Sequence, residues 1–404
     1  MPAFRQYPVR LPALALLAAV ALLAAALLAP AASGAGEEAA APPASILDDA
    51  TFTARLAPAL DRLYDLDLAA AEAELAALAA LHPEHPAGPL LGALADWWRV
   101  MFDTDDTAHD AALEARIDEV LARADARLEA APDDPDGLFF RAAAIALRGR
   151  LASLRGRWIP AAHDGGRALR LVRRLAAAQP DNRDLLFGLG AYDYCADVVP
   201  ERYPIFKPLV PFFPRGDRER GLAALEEVRD RGRFARAEAA WLLAQLHYLF
   251  ERDRAGTLEQ LGWLRERYPS NALFHAFEGR THVRWDDCAR AGEIYRQVLD
   301  RAEAGATGYN EARALEAHYM LGRCALEDGR YQAATPHLSE AARLAGERAD
   351  SPYRTLAHLR LGMAADALGD RAAAVRHYRT ALAFPDSSEA HRRARGYLRE
   401  PYEG

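Results

Sequence analysis

One pattern is written twice near the C-terminal end of this chain, with every matched pair 40 positions apart. In the first copy Leu321 and Gly322 are followed by Gly329, Ala334, Leu338 and Ala341. In the second, Leu361 and Gly362 are followed by Gly369, Ala374, Tyr378 and Ala381. A period of this size marks stacked supersecondary units, each burying its apolar face against its neighbours rather than closing on itself. Small residues at fixed places fit units made of two closely packed helices. The composition agrees. Ala, Leu, Arg and Glu dominate while Val, Ile and Thr are sparse, which favours helix over strand. The expected class is all-α, a solenoid of helix-turn-helix repeats.

The net charge of −8 is spread with both signs interspersed, and no block of basic residues argues for a nucleic-acid partner. The N-terminus reads as a targeting segment. Arg5 and Arg10 precede an apolar run over 11–28, interrupted only by Pro12. Ala29-Pro30-Ala31 and Ser33-Gly34-Ala35 both fit a small-x-small cleavage site. The expectation is a signal peptide over 1–35, or an uncleaved anchor, then a flexible linker over 36–50. Either way the rest of the chain is placed outside a bacterial cytoplasm, in the periplasm or cell envelope. The cysteines are Cys195, Cys288 and Cys324, and an odd count leaves at least one thiol free. All three fall in or beside predicted helices, where Cys is ordinarily a small core residue. The expected reading is three core residues rather than a disulfide framework.

Helical patterning divides the mature chain into N-terminal repeats over 51–197, an interruption over 198–216, C-terminal repeats over 217–385 and a polar tail over 386–404. The interruption reads VVPERYPIFKPLVPFFP over 198–214. Its prolines exclude a regular helix. Its apolar residues, among them Ile205, Phe206, Leu209, Phe212 and Phe213, are too many for a solvated linker. It is either a buried brace between two repeat blocks or a surface that touches a membrane or a partner.

Within the repeats, Ala71, Leu75, Leu78 and Pro83 are spaced 4, 3 and 5 apart, and Ala168, Val172, Leu175 and Pro180 repeat that spacing. The spacing resembles the second helix of the tetratricopeptide repeat (TPR) family, most strongly over 272–385. The resemblance implies a right-handed α-solenoid in which first helices line a concave face. The segment 187–222 is similar, more narrowly, to the centre of a eukaryotic TPR family with members assigned to the mitochondrial outer membrane. The likeness is the Gly188-x-Gly190 helix, the Pro-rich apolar link, then Gly216-Asp217-Arg218 before Gly221-Leu222. It implies a protein without enzymatic activity.

Placing the repeat starts fixes a set of groove-facing positions: Phe187, Tyr194, Trp241, Gln245, Tyr248, Arg280, Arg284, Tyr319, Arg323 and Glu327. Aromatics offer contact area and Arg can grip a carboxylate with two hydrogen bonds, so the expected partner is a peptide or protein segment of acidic character. The bland alternative is that the aromatics pack between repeats and the arginines are solvated. His275, His318 and His358 each fall four residues before a glycine and would stack in a column. Repeats about 10 Å apart are too distant to share a small ion, so these histidines read as stand-ins for an aromatic packing residue. His82-Pro83-Glu84-His85 has no further ligands in sequence and reads the same way. No nucleophile elbow, zinc-protease helix, phosphate-binding loop or Cys-x-x-Cys is present, so no catalytic residue, metal or cofactor is expected. The reading is an exported, non-catalytic scaffold for protein–protein interaction. The alternative is an envelope protein contacting membrane or lipid through 198–214.

Overall fold

A computed structural model describes residues 45–202, 214–346 and 351–404. The apolar N-terminal segment, and Ile205, Phe206, Leu209, Phe212 and Phe213 of the interruption, lie outside the described residues. Seventeen α-helices and no strand are found among the described residues, and successive helices pack on one another as in an α-solenoid. No described helix is long and apolar enough to cross a membrane.

The chain divides into two compact units, meeting in sequence at Tyr268 and Pro269. The unit Leu11–Tyr268 holds ten helices: α1 (Ala50–Tyr64), α2 (Leu68–Leu81), α3 (Ala87–Phe102), α4 (Asp110–Ala130), α5 (Pro135–Leu154), α6 (Trp158–Ala178), α7 (Leu186–Arg202), α8 (Arg218–Arg231), α9 (Arg236–Leu246) and α10 (Arg254–Arg267). The unit Pro269–Gly404 holds seven: α11 (Ala272–Arg284), α12 (Cys288–Glu303), α13 (Glu311–Glu327), α14 (Tyr331–Gly346), α15 (Pro352–Ala367), α16 (Arg371–Leu382) and α17 (Ala390–Arg399).

Starts and stops follow local chemistry. Asp49, Asp134, Asp217, Asn271, Asn310 and Asp370 accept hydrogen bonds from first-turn N–H groups that have no partner inside the helix. Gly329 and Gly369, matched in the 40-residue pattern, sit just past α13 and α15 with φ of 71° and 84°. That left-handed backbone returns N–H groups to the last carbonyls, from Arg330 to Ala325 at 2.8 Å and from Asp370 to Ala365 at 2.9 Å.

The repeat also dictates packing. Gly322 and Gly362 lie where the next helix crosses. A Cβ on Gly322 would fall 2.6 Å from Leu338 Cγ, and one on Gly362 would fall 2.4 Å from Tyr378 Cε1. Ala334 and Ala374 are fully buried on the facing helices. In the unit Pro269–Gly404, α11, α13, α15 and α17 touch in succession as one layer, with α12, α14 and α16 between them.

The polar stretch 386–404 carries a helix, α17, whose Ala390 and Ala394 are buried against the unit. Two sequence expectations change. α7 runs through Pro200 to Arg202, with Val199 buried in a cluster with Tyr194, Leu225 and Leu243. Finally, Cys288 and Cys324 are not independent core thiols. They form a disulfide with Cα atoms 5.5 Å apart, joining α12 to α13, and Cys195 is the buried free cysteine. Helical periodicity places each cysteine on its own helix but says nothing of which cysteines in neighbouring repeats meet.

Candidate functional site

α5 turns a row of small residues, Ala142, Ala143, Ala146 and Gly149, toward α6 and α7, which answer with Ala161, Gly165, Ala168 and Gly188. Small side chains on facing helices leave space between them. The result is a cavity of about 860 Å³ within the unit Leu11–Tyr268. Larger side chains close its walls, among them Phe139 of α5, Leu169 and Val172 of α6, Phe187 of α7, and Trp241 of α9. Leu138, Leu175 and Leu185 form a buried cluster beside it that fixes α5, α6 and the turn into α7.

The principal charged groups in the wall are already engaged. Arg150 Nη1 donates to Glu238 at 3.0 Å, and its guanidinium lies 4.6 Å from the centre of the Trp97 ring. Asp184 accepts the backbone N–H groups of Arg233 at 2.9 Å and of Phe234 and Ala235 at 3.1 Å. Arg233 in turn donates to the carbonyl of Leu47 at 3.1 Å and to the hydroxyl of Thr53. Tyr64 stays a phenol, since burial and then the neighbouring Glu238 push its pKa well above the usual tyrosine range. What the wall still offers an occupant is apolar surface, and water inside it gains little from those sides.

A buried carboxylate, Asp136, anchors the segment that brings Ser45 and Leu47 to the cavity wall. Ser45, Leu47 and Asp48 line the cavity. Ser45 Oγ donates to Asp136 Oδ1 at 2.5 Å, the Ile46 N–H donates to Oδ2 at 2.9 Å, and His85 Nε2 lies 3.0 Å from the same oxygen. Burial alone would raise the Asp136 pKa, but the hydrogen bonds from His85, Ser45 and Ile46 outweigh it and hold the carboxyl below its ordinary value.

The residues expected in a groove fall into three groups. Phe187, Trp241 and Gln245 are brought together on the cavity wall. Tyr194, Tyr248 and Tyr319 are at most 1% exposed, so they offer no contact surface. Tyr194 is packed among Ala191, Cys195, Leu225 and Leu243 and donates its hydroxyl to Glu251, while Tyr319 packs on Tyr353 with ring centres 4.8 Å apart. A residue on the inner helix of a pair can point between repeats as easily as into a groove, and period alone does not separate the two. The arginines are not free either. Arg280 Nε and Nη2 donate to the buried Glu316 at 3.0 and 2.7 Å. Arg284 lies 5.3 Å from the centre of the Trp285 ring. Arg323 is 3% exposed and donates to the exposed Glu327 at 2.9 Å.

The expected histidine column reaches sideways. His275 Nδ1 lies 3.1 Å from the Tyr309 hydroxyl. His318 and His337 bring their Nδ1 atoms to 3.1 Å, and His358 and His377 bring theirs to 3.2 Å. No group of three or more metal-ligating side chains occurs among the described residues.

Sequence reasoning missed α5 and α6 as cavity walls, and Glu316 and Asp136 as buried carboxylates. The signal for the walls was the run Ala142-Ala143-Ala144 facing Gly165-Gly166, small residues beyond what one packed hairpin needs. No sequence signal marks the carboxylates, since their burial depends on arginine and histidine partners brought up by other helices. No protein-family model matches this chain, and comparison with curated proteins likewise finds no match.

Proposed function

We propose that this protein is an exported, non-catalytic TPR-type scaffold that binds a protein partner by taking an apolar segment of it into the cavity between α5, α6, α7 and α9. The observation that carries the reading is the cavity itself, about 860 Å³ with its principal wall charges already paired. That volume lies in the upper part of the range of ligand sites, large enough for several side chains of a peptide. An apolar segment is favoured over the acidic one expected from sequence, because Phe187 and Trp241 line the cavity while Arg280 and Arg323 are occupied by Glu316 and Glu327. The Cys288–Cys324 disulfide supports placement outside a reducing cytoplasm, where such bonds persist.

The test uses Ala146, which is exposed at the cavity wall. Ala146→Trp should fill the space and leave the melting temperature unchanged. Apolar nonapeptides selected by display against the native protein should bind and quench Trp241 fluorescence, and Ala146→Trp should weaken them about tenfold or more. Equal binding by both proteins would remove the cavity from consideration.

A further inference from the structure

The disulfide that joins α12 to α13 lies in the wall of a second, smaller cavity of about 360 Å³, within the unit Pro269–Gly404. Both of its residues line the space, Cys288 half-buried and Cys324 4% exposed. Small residues keep the space open: Gly292 of α12, Ala325 of α13 and Ala333 of α14. A Cβ added to Gly292 would meet nothing closer than Arg296 Nη1 at 3.5 Å. The rim faces solvent, since Ala289, Arg330 and Ala333 are exposed. The disulfide is thus presented to small molecules in the folded protein. A disulfide opens by thiolate attack on one of its sulfurs, so access and local charge decide which disulfides react.

The charge around this cavity is positive. His337 forms part of the wall and stays neutral, because burial and then Arg296 push its pKa down. Glu293 already receives Arg290 Nη1 at 2.6 Å, and Arg330 Nη2 donates to Asp328 at 2.7 Å. Arg296 is exposed and makes no ion pair among the described residues. Its guanidinium raises the local concentration of anions at the rim. The volume lies at the lower end of the range of ligand sites, which suits a small molecule.

We propose that this cavity receives a small anionic thiol, which opens the Cys288–Cys324 bond and is held as a mixed disulfide on Cys288. The incoming thiolate bonds to Cys288 Sγ, the sulfur of the more exposed residue. The bond between the two cysteines breaks, its electron pair leaves on Cys324 Sγ, and that thiolate takes a proton from water. The step reverses without an outside oxidant: attack of the Cys324 thiolate on Cys288 Sγ expels the small thiolate and restores the original bond. A second thiol molecule that attacks the adduct forms the small molecule's own disulfide and leaves two protein thiols. Opening the bond frees a loop spanning 36 positions, so the occupied state loses the brace between α12 and α13. The site lies outside the apolar cavity and does not rest on the function proposed for it.

The full chain, folded and oxidised, should be treated at low salt with mercaptosuccinate (anionic), mercaptoethanol (neutral) or cysteamine (cationic). Early time points are quenched in acid and mapped by peptide mass. Each rate is taken per thiolate and divided by the rate for the same thiol on the urea-unfolded chain, which cancels intrinsic nucleophilicity. This ratio should be about tenfold or more higher for mercaptosuccinate than for cysteamine, with mercaptoethanol between them, and added salt should reduce the difference. The first adduct should lie on Cys288. Arg296→Gln changes an exposed side chain and should reduce the preference severalfold at an unchanged melting temperature. Ratios independent of thiol charge, a preference unaltered in Arg296→Gln, a first adduct on Cys324, or a disulfide that opens only when the chain unfolds would each overturn the proposal.

Discussion

Arg280 of α11 and Glu316 of α13 join adjacent members of one helix layer through two hydrogen bonds, at 3.0 and 2.7 Å. Glu316 is 2% exposed and also receives Arg313 Nη1 at 2.9 Å and the Tyr295 hydroxyl at 3.2 Å. Burial would raise its pKa, yet Arg280 and Arg313 outweigh burial and keep it ionised. Glu316→Ala removes the buried carboxylate that both arginines pair with and should lower unfolding free energy by about 3 kcal/mol in urea titrations. Glu316→Leu should recover part of that loss, since it fills the vacated volume.

Cys288 and Cys324 close a loop spanning 36 positions. Cross-linking a loop of that size restricts the unfolded chain by an amount worth about 4 kcal/mol. Treatment with dithiothreitol, or the double variant Cys288→Ser/Cys324→Ser, should therefore lower the melting temperature. Cys195 is buried beside Tyr194, and burial pushes its pKa up, so the native protein should react slowly with thiol reagents at neutral pH.

The histidine pairs give the unit Pro269–Gly404 a pH-dependent stability. A hydrogen bond between two Nδ1 atoms needs one of them unprotonated, so the folded state resists double protonation. His318 faces His337, Glu340, Arg343 and Glu303, while His337 faces Arg296. His358 faces His377 and Arg354, while His377 faces Arg376 and Asp370. Burial, then these like charges, lowers all four, with His358 pushed down to about 4. A base whose folded pKa lies below its unfolded value binds fewer protons when folded, so stability is present above the unfolded value of about 6.5 and falls as pH drops toward 4. The melting temperature should decline across that window, and His358→Phe/His377→Phe should flatten the decline. A profile unchanged by the double variant would show that other groups carry it.

Gly322 and Gly362 should resist substitution for reasons of space alone. Gly322→Ala presses on Leu338 and Gly362→Ala on the Tyr378 ring. Each should destabilise by about 1–3 kcal/mol despite the better helix propensity of Ala. Gly262 of α10 has nothing within 4 Å of an added Cβ, so Gly262→Ala should instead stabilise by up to about 1 kcal/mol. Thermal melts of the three variants separate the two effects.

Much of this molecule is written locally. The 40-residue echo, the spacing of Ala168, Val172 and Leu175, and the glycines at 329 and 369 fix helix pairs, their turns and their closest approaches. Each is a relation between residues on one helix or on consecutive helices, which period and backbone sterics are enough to determine. The rest depended on helices distant in sequence. Tyr319 and Trp241 look alike as aromatics on inner helices, but packing on Tyr353 buries the first while the alanines of α5 leave the second a cavity to line. Cys288 met Cys324, Arg280 met Glu316, and Arg360 met no carboxylate among the described residues, because pairing is decided by which side chains the stacked layers bring within a few ångströms. A repeat specifies where the helices lie; only their assembly specifies which charges are neutralised and which volume is left open.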